Sequence, residues 1–257
     1  MVKPPVSELA VIRRLCLLCG PVLAVFVSCG IEDYYYLSPV PVGNIMLTSN
    51  TRANILLPSV SDPYFTNFAI YYRIYISERS ETAEIQTSPA SLNNINSTLN
   101  SDYSFFYNYT TSNTMVGTSI GSLFRNRNYY PLGINSSSSL DTVLDSGNAP
   151  GKTIVLDFQT TPATITLGST FQLYRSNNEG AFNPRPDRLF RNSSDLHDSG
   201  YANSENNADV ANLNYSTGTS SRYTYVAFYI VLVGIDLTTY SQIYSNPTFI
   251  GIMRLPD

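Results

Sequence analysis

Tryptophan is absent from the 257 residues, histidine occurs once, at His197, and cysteine three times, at Cys16, Cys19 and Cys29. A lone histidine with no thiol beyond residue 29 leaves no ligand set for zinc. With a single cysteine after residue 28, no intramolecular disulfide can staple the body of the chain. Charge is also scarce. Asp, Glu, Lys and Arg make up 13% of residues, about half of the usual ~25%. Beyond residue 28, twelve Lys and Arg face eighteen Asp and Glu with no basic cluster, which excludes a nucleic-acid partner and electrostatic attraction to anionic lipid. Long apolar runs are missing too. The only candidate, 15–27, is interrupted by Gly20-Pro21 and falls short of the roughly 20 residues that a membrane-spanning helix needs.

What is present begins with that short run. It follows Arg13-Arg14 and ends at Ser28-Cys29, the charged, apolar and small-residue succession of an export signal. Phe26 at the minus-three position is a poor fit to ordinary secretory cleavage. The tetrad Phe26-Val27-Ser28-Cys29 instead resembles the lipobox of bacterial lipoproteins, and Phe26 in place of the commoner Leu is similar to the relaxed lipoboxes of spirochaete lipoproteins. The resemblance covers about the first 36 residues. It implies removal of residues 1–28 and a thioether-linked diacylglycerol on Cys29, the new N-terminus, usually with a third acyl chain on its amine. Two or more acyl chains give stable anchoring where one gives only reversible binding. The implied address is the bacterial cell envelope, with the membrane as partner through those chains.

The remainder reads as strands. Residues 68–76 alternate: Phe68, Ile70, Tyr72, Ile74 and Ile76 point one way, Ala69, Tyr71, Arg73 and Tyr75 the other, which predicts one core face and one at least half wet. Residues 45–48, 53–57, 153–159, 164–167, 170–175 and 248–254 are further strands, with Gly168-Ser169 as a hairpin turn. Residues 223–233 are apolar on both faces, as suits a central strand covered on both sides. Leu92, Ile95, Leu99 and Tyr103 recur at helical spacing, which predicts one short helix near 90–101 capped by Ser88 or Ser91.

The strand 70–76 resembles the C strand of fibronectin type III and related immunoglobulin-like domains, 223–229 their F strand, and 248–254 their G strand. The expected fold is therefore an all-β antiparallel sandwich, immunoglobulin-like, with long loops: a signal peptide at 1–28, a tether at 29–42, and a domain at 43–257 with a large insertion between about 77 and 222.

Catalytic and binding motifs are weak. Gly117-Thr118-Ser119-Ile120-Gly121 matches the nucleophile elbow of hydrolases, with Ser119 as nucleophile, His197 as base and Asp141, Asp145 or Asp157 as orienting acid. That elbow needs a strand before it and a helix after it, and residues 122–131 show no helical period. Ser146 to Thr153 imitates a phosphate loop, but Gly147 stands one position too close to Gly151 and a strand follows, so a turn is expected there. Asp187, Asp195, Asp198 and Asp209 lie in an Asn-rich stretch that offers oxygen ligands of the kind calcium takes, without EF-hand spacing; a solvated loop is the favoured reading. The sequons at Asn96, Asn108, Asn135, Asn192 and Asn214 follow from the abundance of Asn, Ser and Thr. No cofactor is implied. The expected function is a lipid-anchored, non-catalytic binding, adhesion or structural module that presents its loops to a protein or glycan. The alternative is an exported serine hydrolase using Ser119 and His197.

Overall fold

Alternating β-branched and aromatic residues build the two longest strands, β3 (Phe65–Ser77) and β10 (Tyr223–Ile235), which pair antiparallel along their whole length, from Tyr223 opposite Ser77 to Gly234 opposite Phe65. The computed structural model describes residues 37–77, 92, 96–111, 120–134, 139–175, 189–190, 209–211 and 223–256. Short strands flank this spine. On the far side of β10 lie β11 (Gln242–Tyr244) and β12 (Thr248–Arg254), and on the far side of β3 lie β4 (Tyr130–Pro131) and the parallel β9 (Val210–Ala211). A second sheet runs in the order β1 (Ile45–Ser49), β2 (Arg52–Leu56), β6 (Thr153–Asp157), β7 (Thr164–Leu167), β8 (Ser169–Tyr174), β5 (Gly133–Ile134).

The protein is thus an all-β antiparallel sandwich. Its β3, β10 and β12 are successive neighbours in one sheet. The stretch predicted as an insertion is integral to it: β4 to β9 all come from between residues 77 and 222, and Tyr36–Asp257 forms one compact unit. The chain joins that unit ahead of the predicted boundary at 43, since Leu37 and Val40 are already buried.

The space between the sheets is filled by the inward faces of both. Phe68, Ile70, Tyr72, Ile74 and Ile76 of β3 and Val226, Phe228, Ile230 and Leu232 of β10 meet Ala53, Ile55, Ile154, Leu156, Ile165 and Leu173. The opposite face of β3 is a correction to the half-wet expectation. Ala69 and Tyr75 are buried in a second core with Tyr225, Ala227, Tyr229, Val231 and Val233 of β10, beneath helices α1 (Ser97–Thr111) and α2 (Ile120–Asn126). Aromatic rings make this layer. Phe124 of α2 stacks on Tyr71 at 4.2 Å between centroids, and Phe106 of α1 lies 4.7 Å from the Tyr229 ring; such pairs contribute about 0.5–1.5 kcal/mol each beyond area burial.

The helices differ from the expected one. Leu92 and Leu99 are buried as the spacing requires, and Ser88, Ser91 and Ile95 lie outside the described residues; α1 runs on to Thr111, with Asn96 at its start. The Asn96 side-chain oxygen accepts from the amides of Thr98 and Leu99, satisfying two of the donors that a helix start leaves open. Its amide nitrogen donates to the Ile76 carbonyl, which ties the helix start to the end of β3. Helix α2 was not expected at all: Ile120, Leu123 and Phe124 form an i, i+3, i+4 apolar face only two turns long. A third short helix, α3 (Leu140–Val143), is capped by Ser139.

The two ends of the sandwich are distinct. At the entry end, the Thr248 hydroxyl donates to the Val40 carbonyl and the Ile235 amide to the Tyr64 carbonyl. The chain packs so closely there that a Cβ on Gly234 would sit 2.5 Å from the Tyr64 oxygen and 3.1 Å from Leu37. At the distal end, Ser77 pairs with Tyr223 and the Arg254 amide donates to the Asn50 carbonyl. Between the ends, β12 bulges between Gly251 and Phe249; Gly251 has φ +137° and lies under Leu47, whose nearest carbon would be 2.8 Å from a Cβ.

Candidate functional site

Of the residues singled out from sequence, Cys29, Ser119, His197, Asp187, Asp195 and Asp198 lie outside the described residues. The objection that no helix follows Ser119 does not stand, because α2 starts at Ile120. Two of the three acids proposed as partners of that serine are engaged elsewhere. Asp145 caps a turn by accepting from the amides of Gly147 and Asn148, and Asp157 accepts from the Gln159 amide and stands 3.7 Å from Arg52. Asp141 is exposed in the first turn of α3. The loop that imitates a phosphate site is a turn leading into β6, as expected.

Asp209 is buried beside the β3–β9 ladder. Arg175 embraces it with two nitrogens, Nε to one carboxylate oxygen at 2.8 Å and a terminal nitrogen to the other at 2.5 Å, and the Tyr72 hydroxyl donates at 2.8 Å. The fork geometry matches guanidinium to carboxylate, the strong form of the interaction. With both oxygens so engaged in the interior, Asp209 acts as a clamp between β3 and the end of β8. Among the described residues there is no group of three or more His, Cys, Asp or Glu placed to hold a metal ion.

A second buried network lies under α1, and sequence reasoning missed it. Asp102 accepts from Arg73 at 2.5 Å, from the Tyr75 hydroxyl at 2.7 Å and from Arg127 at 3.3 Å, while the Tyr75 and Tyr129 hydroxyls share a hydrogen bond of 2.8 Å. Burial pushes the Tyr75, Tyr129 and Tyr229 hydroxyls well above their ordinary pKa. The one visible signal was Arg73, a cation in an otherwise apolar and aromatic strand face. Chemically the arrangement is a buried carboxylate held by two guanidinium groups and a phenol. It latches a helix onto a sheet.

What remains open to a partner is the surface. Of the seven exposed large hydrophobic residues among those described, Val42, Leu56, Ile235, Leu237 and Tyr240 sit on the entry half. Ser77, Ala211 and Tyr223 belong to the distal half. No described helix is long and apolar enough to cross a membrane.

Fold and surface define a β-sandwich with a helical cover and two internal ion-pair clamps. No protein-family model matches the chain, and no curated protein or solved structure is significantly similar to it.

Proposed function

We propose that the chain is a lipid-anchored protein of the bacterial cell envelope, held to its membrane through acyl chains on Cys29, whose β-sandwich serves as a non-catalytic binding, adhesion or structural module. The observation that carries this reading is Cys29 itself: it ends the apolar run in a lipobox-like tetrad and is the sole cysteine beyond residue 28. An anchored chain enters at the Leu37 end, so the distal half faces away from the membrane, toward a protein or glycan partner.

Radiolabelled palmitate fed to cells producing the wild-type chain and Cys29→Ala tests the anchor. Label in the first and none in the second is expected, whereas equal labelling of the two overturns it. The exported hydrolase has α2 in its favour, directly after Ser119. A fluorophosphonate probe that labels the wild type and spares Ser119→Ala would replace the binding reading with that one.

A further inference from the structure

Five of the exposed large apolar side chains lie on the half of the sandwich where the chain enters, and two of them, Leu237 and Tyr240, ride on one internally hydrogen-bonded loop. That loop joins β10 to β11. The Asp236 carboxylate accepts from the Thr238 amide at 2.8 Å and the Thr239 hydroxyl at 2.7 Å, the Asp236 amide donates to the Ser241 carbonyl, and the Tyr240 amide donates to the Asp236 carbonyl. The polar backbone is thus bound inward, while Leu237 is 59% and Tyr240 81% exposed. Tyr240 has φ +56°, a left-handed conformation that glycine adopts freely and a tyrosine rarely does. A left-handed backbone that leaves a large aromatic side chain in solvent is the kind of outlier found where a side chain is held out for contact.

We infer that the Ile235–Leu237–Tyr240 tip is a membrane-contact surface that inserts into the interfacial layer of the phospholipid bilayer in which Cys29 is anchored. The inference rests on the lipoprotein reading, through the length of the connection. Only seven residues, 30–36, lie between Cys29 and Leu37, so the eight steps from one to the other reach at most about 28 Å when fully extended. The Leu37 side chain lies near Gly234, one residue before the tip begins. An anchor that short holds the tip at an effective concentration on the order of millimolar, so weak interfacial affinity suffices. A leucine beside a tyrosine suits that layer, where an apolar body is buried and a hydroxyl stays wet.

Charge selects the lipid. Asp62, Asp145 and Asp236 at this end cap turns through backbone amides, and Lys152 is the cation among them. A zwitterionic surface is therefore preferred over an anionic one.

The absence of tryptophan allows a direct test. The full chain, produced in a lipoprotein-processing bacterium and checked for acylation of Cys29 by mass, is reconstituted in phosphatidylcholine vesicles with a single reporter, either Leu237→Trp or the distal, exposed Gln159→Trp. Blue-shifted emission and quenching by brominated phosphatidylcholine on the order of twofold greater at position 237 are expected, because interfacial segments sit about 5–10 Å into the headgroup boundary. Solvent-like emission at both positions in acylated protein overturns the contact and leaves the anchor standing. A chain without acyl groups on Cys29 overturns both. In the Leu237→Trp background, Tyr240→Gly relieves the backbone, so a weaker quench with an unchanged or raised melting temperature is expected. A lowered melting temperature with an unchanged quench would make Tyr240 structural and remove it from the contact.

Discussion

Asp102 of α1 and Arg73 of β3 form an ion pair in which both side chains are nearly excluded from solvent, at 2% and 11% exposure. Arg73 Nε finds no partner among the described residues, so the guanidinium is only partly satisfied. The pair lies where the helix crosses the spine of the sheet and fixes which turn of the helix faces β3. Desolvating two charges offsets much of their attraction, and the value of such a pair lies in the penalty for breaking it.

Asp102→Ala leaves Arg73 buried without its counter-ion and should lower unfolding free energy by about 3–5 kcal/mol. Urea denaturation measures this. A loss below about 1 kcal/mol would show that the pair does not hold the helix down. Combining it with Arg73→Met should recover part of the loss, because no unpaired charge then remains.

Tyr229 and Tyr75 separate packing from hydrogen bonding. The Tyr229 hydroxyl is buried with no partner among the described residues, whereas that of Tyr75 bonds to both Asp102 and Tyr129. Tyr229→Phe should leave stability unchanged or raise it, and Tyr75→Phe should cost about 1–3 kcal/mol by orphaning buried partners. Thermal melts of the two variants compared with wild type decide the matter; equal losses would count against the assignment.

Alkaline pH should expose the same hydroxyls. With Tyr75, Tyr129 and Tyr229 raised in the folded state by burial, their contribution is fully present below the unfolded tyrosine pKa of about 10. It is lost as pH rises from there toward the folded values. A titration of tyrosinate absorbance should leave a fraction of the 20 tyrosines protonated until the chain unfolds. Complete ionisation with the fold intact would contradict the buried arrangement.

Asp209 should behave as a clamp. Asp209→Ala removes the bidentate acceptor of Arg175 and should cost about 3 kcal/mol. EDTA and added calcium should both leave the melting temperature of the wild type unchanged, since both Asp209 oxygens are already taken by Arg175 and Tyr72. A calcium-dependent rise of several degrees would place a metal in the neighbouring acidic stretch.

Strands long enough to show period two were legible from sequence. The expected span 68–76 lies within β3, 45–48 matches β1, and 248–254 coincides with β12. The two-residue strands β4, β5 and β9 have no periodicity to show, and they are defined by their partners alone. Helix α1 is legible through Leu99 and Tyr103, and α2 is too short for its apolar triad to stand out.

Sequence by itself determined the class of the fold and the burial of both faces of β10, because a run such as Tyr225 to Val233 without a polar face can rest only between two apolar layers. It also marked Cys29 as the residue with distinctive chemistry. Tertiary structure alone decided that the second face of β3 is interior, that Asp102 meets Arg73 and Asp209 meets Arg175, and that the apolar side chains at Val42, Leu237 and Tyr240 share one half. Local patterning records which way a side chain points along its own strand; which distant charge or helix arrives to cover it is set by the closure of long loops, and no period in the sequence encodes that.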